Sequence, residues 1–337
     1  MDTRVIFINK DQFRISLADV RIYWMCDDKP IVGVLMSTYN GEKYIREQLD
    51  SIFEQEDVDV KLFVRDDGSS DRTKNILREY AATHNLVDLS DGERVGPGES
   101  FMRLLCKAIE RIEVQYLAFA DQDDIWLKNK LSVAIKKIEL CKEKDAVLYS
   151  SNQFLYVNGV NKGKRHADRQ SVDLINHMTK NTIAGCTFVL NRDMATLITD
   201  AEKPDSRVIK YRLHDAWIML IAIVCGHVIY DENAYMFYRI HEDNVVGIKT
   251  ESLAKRLSKL ARFVKKRDDA NIRMITAQEM LRLYPHMNEK NKQIVRLFAN
   301  YQNSMRDKFR LAFDKDIRKG CVENANVFSI KVLMNFV

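Results

Sequence analysis

The chain has 337 residues, 46% hydrophobic and 30% charged, the balance of a folded globular protein rather than a disordered or fibrous one. Its net charge of +5 gives no argument for nucleic acid as a partner, and no apolar run of about 18 residues is present to span a bilayer. The six cysteines, at 26, 106, 141, 186, 225 and 321, form no CxxC pair and sit mostly among apolar neighbours, as reduced thiols in a cytoplasmic setting do.

Residues 1–29 read as a mixed N-terminal extension. Arg4, Lys10, Asp11 and Arg14 interrupt it, so no secretory leader is expected. Pro30 introduces Ile31-Val32-Gly33-Val34-Leu35-Met36, a continuous apolar run of the kind buried in a parallel sheet. Residues 42–55 place Tyr44, Ile45, Leu49, Ile52 and Phe53 on one side of an amphipathic helix. A strand over 60–64 ends at Asp66-Asp67-Gly68-Ser69-Ser70, where Ser70 or Asp71 can cap a helix reaching about residue 83. A helix over 100–112 precedes a strand over 116–120, which stops at Asp121-Gln122-Asp123-Asp124. Next come a helix over 130–143, a strand over 146–150 and a polar, irregular stretch over 157–180. A strand over 187–190, helices over 192–199 and 211–225, and an extended segment over 226–240 follow, finishing at His241. Alternating strands and helices predict an α/β fold with a mostly parallel sheet and crossover helices, in which ligands bind beyond the carboxyl ends of the strands. After about residue 250 the pattern is helical and basic, which sets a boundary near 248.

Three carboxylates within four residues at Asp121-Gln122-Asp123-Asp124 repel one another, and a cation relieves that repulsion. Hard divalent ions take such oxygens and complete their shell with phosphates. An acidic surface turn with Asp124 as a helix cap is the other reading. Ile125-Trp126 beside it supplies an apolar anchor. Asp66-Asp67 can accept from a base N–H or ribose hydroxyls, or serve as an ordinary turn. Tyr39 ends the first strand, where a ring stacks on a nucleobase or simply packs. Arg94-Val95-Gly96-Pro97-Gly98 lacks the spacing of a dinucleotide fingerprint or a P-loop and reads as a plain loop. In His214-Asp215-Ala216-Trp217, Asp215 suits a general base, or the His-Asp pair a helix cap. His241 is a lone histidine, structural or metal-binding.

Together these segments resemble family 2 glycosyltransferases of the GT-A fold, in their bacterial rhamnosyltransferase-like branch. Thr38-Tyr39-Asn40-Gly41 with Tyr44-Ile45, Leu49, Ser51-Ile52 and Gln55 is similar to the family's opening motif, and Val64 through Asp71 to its second. Ala120-Asp121-Gln122-Asp123-Asp124-Ile125-Trp126 resembles the DxD segment, and Tyr238-Arg239 with His241, Asn244 and Gly247 the closing motif. The resemblance covers about residues 30–248, a GT-A catalytic domain (an αβα sandwich), and leaves 249–337 as a C-terminal helical region.

The resemblance implies an inverting, metal-dependent transfer from a nucleotide-sugar donor, dTDP-L-rhamnose or a UDP-hexose, to a glycan or lipid-linked acceptor of a cell-surface polysaccharide. Ser37, Tyr39 and Asp67 would contact the nucleobase with Asp66 nearby, and Asp121 the ribose or metal. Asp123 would ligate Mg²⁺ or Mn²⁺, His241 would be a further metal contact, and Asp215 the catalytic base. Asp124, Trp126, Gly185, His214 and Trp217 would lie near the acceptor or donor sugar. Ala216 departs from the second aromatic common in the branch, which bears on the acceptor site. A metal-dependent nucleotidyltransferase would want a Gly-rich phosphate loop where Ser37-Thr38-Tyr39-Asn40 stands, and a non-catalytic scaffold would not need Asp67, Asp123 and Asp215.

Residues 252–267 hold seven Lys or Arg and no acid, with Leu253, Leu257, Leu260, Ala261 and Val264 at helical spacing. Such a helix suits peripheral contact with the inner face of the cell membrane, or packing on the catalytic domain. Ile294, Phe298, Tyr301, Met305 and Phe309 mark another amphipathic helix, a bundle partner or homo-oligomer contact. The apolar stretch 327–337 is too short to span a bilayer and reads as a docked helix or strand.

Overall fold

The computed structural model describes residues 29–142, 145–241 and 271–337. The N-terminal extension to residue 28, the boundary near 248 and the basic run 252–267 lie outside the described residues.

The first unit alternates as its periodicity predicts. It comprises β1 (Ile31–Thr38), α1 (Ile45–Phe53), β2 (Asp59–Asp66), α2 (Thr73–Ala81), the short edge strand β3 (Leu86–Asp88), α3 (Pro97–Ile109) and β4 (Tyr116–Ala120). β3, β2, β1 and β4 lie side by side and parallel, so their carboxyl ends share one edge. Thr38 pairs with Asp66, and Met36 with Ala120, which aligns the ends of β1, β2 and β4. Alternate side chains go to opposite faces: Val32, Val34 and Met36 enter one core layer with α1 and α4, and Leu35 enters the other with α3. Both faces are covered, hence the unbroken apolar run of β1.

The chain continues through β5 (Ile125–Trp126), α4 (Lys130–Glu139), β6 (Val147–Val157), β7 (Val160–Lys164), α5 (Leu174–Thr179), β8 (Val189–Asn191), α6 (Arg192–Thr199), α7 (Ser206–Cys225) and β9 (His227–Arg239). β8 runs antiparallel between β4 and β6, β9 is parallel to β6, and β5 closes the sheet beyond β9. β7 folds back on β6, so the stretch read as irregular holds a hairpin and α5. α3 begins three residues earlier than the predicted 100, with Pro97 in its first turn. From Ala216 onward α7 is apolar all round because the C-terminal helices cover its outer side, where Trp217 meets Tyr284.

Those helices are α8 (Ile272–Leu283), α9 (Glu289–Asn300), α10 (Met305–Phe313), α11 (Lys315–Gly320) and α12 (Ala325–Leu333). Met280, Phe298, Phe328 and Val332 share one core cluster with Trp217 and Phe119. The apolar pattern 294–309 spans two helices rather than one. The chain turns after α9, and Ser304 caps α10 by accepting from the Asp307 N–H at 3.2 Å. Phe298 and Tyr301 go inward, whereas Met305 and Phe309 stay exposed. Among the described residues no cysteines are joined, and no helix is long and apolar enough to cross a membrane. Of those cysteines only Cys186 is buried, the others being partly exposed.

Candidate active site

Beyond the shared strand edge lies a cleft of about 940 Å³. Its floor is set by polar residues of α1 and of the turn that follows it. Gln48 Nε2 donates to the Asp121 carbonyl at 2.9 Å, the Trp126 N–H donates to Ser51 Oγ at 3.0 Å, and Gln55 Nε2 donates to the Leu127 carbonyl at 2.8 Å. Gln48 and Ser51 on the buried face of α1, with buried Gln55 just beyond its end, fasten the acidic turn and the residues after it to α1. From that turn Gln122 holds Tyr39 at both backbone groups, accepting from its N–H at 2.9 Å and donating to its carbonyl at 3.0 Å. A Cβ on Gly41 would come within 2.4 Å of Gln122 Oε1, so glycine is needed for this approach.

At the end of β2 the two aspartates divide their work. Asp66 is sealed beneath the surface: it accepts from Thr38 Oγ1 at 2.9 Å and from the Ser69 N–H at 2.8 Å, with Lys74 Nζ 3.5 Å away. Asp67 lines the cleft, accepts from Arg65 Nη1 at 2.8 Å, and accepts from the Val95 and Gly96 N–H groups at 2.7 and 2.8 Å. It thereby pins the 94–96 loop, and the Arg94 guanidinium lies 4.1 Å from the centre of the Tyr39 ring. Ser37 Oγ donates to Ser100 Oγ at 2.8 Å on the cleft wall.

The acidic turn presents Asp121 and Asp123 to the cleft. Burial, reinforced by the charge of Asp123, pushes the Asp121 carboxyl up to about 7. His241 Nε2 donates to Asp123 Oδ2 at 2.8 Å, and Arg239 Nε donates to the Asp123 carbonyl at 2.9 Å. Asp124 points away from the cleft. Its Oδ1 accepts from the Arg239 N–H at 3.1 Å, and its buried Oδ2 has no hydrogen-bond partner among the described residues. Burial and then the neighbouring Asp123 and Asp121 charges hold it well above the ordinary carboxylate range. Below it, buried Lys130 places its Nζ 3.8 Å from the Trp126 ring centre, and burial lowers that amine to about 8.

The opposite wall is the break in α7. Leu213 has φ 64° and ψ 170°, a departure that costs a leucine about 1–3 kcal/mol. The break turns His214 between Phe101 and Phe119, at ring distances of 4.2 and 5.3 Å, and leaves Asp215 on the cleft wall. Asp215 Oδ1 accepts from the Ala216 N–H at 2.7 Å and Oδ2 accepts from Asn181 Nδ2 at 3.1 Å. Burial raises its carboxyl to about 6 against these stabilising N–H groups. A Cβ on Gly185 would fall 2.9 Å from both Asp215 Cβ and His214 Nε2, so glycine lets the 3-10 turn Gly185–Thr187 pass.

The sequence profile of Glycosyl transferase family 2 matches residues 33–197. The dTDP-rhamnosyl transferase RfbG of Shigella flexneri is 34% identical over 228 residues, 65% of this chain and 76% of that protein. The chain belongs to glycosyl transferase family 2. The UDP-Glc:alpha-D-GlcNAc-diphosphoundecaprenol beta-1,3-glucosyltransferase WfgD of Escherichia coli is 26% identical over 70% of this chain and 88% of its own length. The solved structure of S. aureus TarS 1-349 in complex with UDP superposes with a TM-score of 0.57 at 16% identity, covering 90% of this chain and 87% of that one. That likeness shows a shared GT-A fold.

In this glycosyltransferase the cleft gathers Ser37, Tyr39, Asp67, Asp121, Asp123, Gly185, His214, Asp215 and His241 on its walls. Four expected site residues stand elsewhere. Asp66 and Asp124 are buried behind the turns they shape, Trp126 packs under the acidic turn, and Trp217 faces the C-terminal helices. Gln122, Asn181 and the Arg94 loop belong to the site and were not legible as such, because their partners come from distant segments.

Proposed function

We propose that this glycosyltransferase inverts the anomeric configuration as it moves a sugar from a nucleoside diphosphate donor to a glycan or lipid-linked acceptor. The donor is dTDP-L-rhamnose or a UDP-hexose, following the activities named for RfbG and WfgD. One observation carries the reading: a single cleft joins Asp67 beside the exposed Tyr39 ring, Asp121 and Asp123 at the end of β4, and Asp215 on the facing wall.

Each wall has a task. Tyr39 and Ser37 receive the base, and Asp67 shapes the loop that borders it. Asp215 takes the proton from the acceptor hydroxyl as that oxygen attacks the anomeric carbon opposite the leaving diphosphate. A carboxyl near 6 is ionised at neutral pH yet remains a better base than an ordinary aspartate. A single displacement needs no covalent enzyme nucleophile.

The acidic turn fits a divalent cation. The neighbouring carboxylates of Asp121, Asp123 and Asp124 hold Asp121 and Asp124 protonated to higher pH than burial alone would, and a cation at the cleft face of the turn relieves that repulsion. Asp123 and His241 would hold Mg²⁺ or Mn²⁺ where a proton now joins them, with Asp121 at its edge. The bound ion supplies positive charge to the departing diphosphate. Cys186, close to Asp121 and Asp124, is held as a neutral thiol by burial, and a soft thiol does not suit a hard ion.

A thermal-shift screen of dTDP-rhamnose, UDP-glucose and UDP-N-acetylglucosamine, each with and without Mn²⁺, tests the donor class. One donor should raise the midpoint, and more so with the metal. Indifference to every nucleotide sugar refutes the proposal.

A further inference from the structure

Thirteen large apolar side chains are exposed among the described residues, and nine of them fall between Met305 and Phe336. On α10, Met305, Phe309 and Phe313 recur every four residues and are 64%, 50% and 51% exposed, while Leu311 and Ala312 turn inward. On α12, Val327, Ile330 and Leu333 recur every three residues on the outside, while Phe328 and Val332 are buried. The two helices are joined where Ser329 Oγ donates to the Ala312 carbonyl. Scattered exposed apolar residues are ordinary, but so dense a group marks an interaction surface.

Charge identifies the partner. From Met305 to Val337 there are seven Lys and Arg against four Asp and Glu. Two of the four acids are engaged locally: Asp314 accepts from the Asp316 and Ile317 N–H groups, and Glu323 pairs with Arg273 and Lys331. Arg306, Arg310, Lys315 and Lys319 enter no ion pair among the described residues. The run 252–267 adds seven more cations without an acid.

We propose that the exposed apolar faces of α10 and α12, with the cations around them, dock on a lipid bilayer bearing anionic headgroups. Apolar side chains enter the boundary of the acyl region while Arg306, Arg310, Lys315 and Lys319 meet the headgroup phosphates. A second copy of the chain on the same faces would set cations against cations.

The test is co-sedimentation of the full chain with phosphatidylcholine vesicles, with and without phosphatidylglycerol. Wild type should pellet with the anionic vesicles and stay in solution with the neutral ones. The double substitution Phe309→Ser with Ile330→Ser should bind about tenfold more weakly, with an unchanged thermal midpoint and unchanged donor hydrolysis. Equal binding by the variant, or no pelleting of wild type with either vesicle, overturns the proposal. So does a dimer in analytical ultracentrifugation that the same substitutions dissociate. Lipid binding is read without any assumption about the transferred sugar, so its failure is distinguishable from a wrong donor assignment.

Discussion

Asn181 Nδ2 donates to Asp215 Oδ2 at 3.1 Å and to the Ile183 carbonyl at 2.9 Å, so one amide fastens the aspartate to the loop that borders it. The bond to Asp215 favours its ionised form and opposes the burial that raises it to about 6. Removing the donor therefore raises the carboxyl further. Asn181→Ala should move the acid limb of the kcat/KM profile upward by about 0.5–1 pH unit. A limb that stays in place shows that the bond does not tune the base.

Asp123 and His241 approach each other from the turn after β4 and from just beyond the end of β9. Asp123→Ala and His241→Ala should each weaken Mn²⁺ binding by roughly tenfold or more in a calorimetric titration. Unchanged titrations would remove both from the metal seat.

Tyr39 holds its ring in the cleft because Gln122 clamps both of its backbone groups. On the proposed reading the ring stacks on the donor base through its face alone. Tyr39→Ala should cost about 1–3 kcal/mol in UDP or dTDP affinity, and Tyr39→Phe should restore it. Equal loss from both substitutions would show that the hydroxyl, not the face, makes the contact.

His214 is buried between two phenylalanine rings with no hydrogen-bond partner among the described residues, and burial lowers it to about 3. The unfolded chain binds its proton near 6.5, so this residue's contribution to stability is complete above that pH and is lost as pH falls toward 3. The slope reaches at most about 1.4 kcal/mol per pH unit within that window. In His214→Phe the fall in thermal midpoint between pH 6.5 and 4 should be shallower. A parallel fall would show that His214 is not neutral in the folded state.

Legibility followed the range of the forces involved. The 3.6-residue period marks α6 at 192–199, where it is observed, and the apolar run marks β1, because both patterns record burial of whole faces. The β6–β7 hairpin had a local signal too: Asn158 and Gly159 have φ 49° and 80°, the pair favoured in tight hairpin turns. Its polar exposed residues hid the strand that follows. β5 has two residues, too few to show a period. Gln48, Ser51 and Gln55 are buried because their partners arrive from the acidic turn and the residues just after it, more than 70 residues later. Local sequence could not separate Asp66 from Asp67 either, since three-dimensional closure alone decides which carboxylate is sealed in.

Transfer by Asp215→Asn, measured at saturating donor and paired with donor affinity from calorimetry, tests the assignment of the base most directly. Asparagine keeps the shape and accepts no proton. Turnover should fall by about 10²–10⁴-fold, with the donor dissociation constant nearly unchanged. Near-native turnover in that variant would show that another group deprotonates the acceptor.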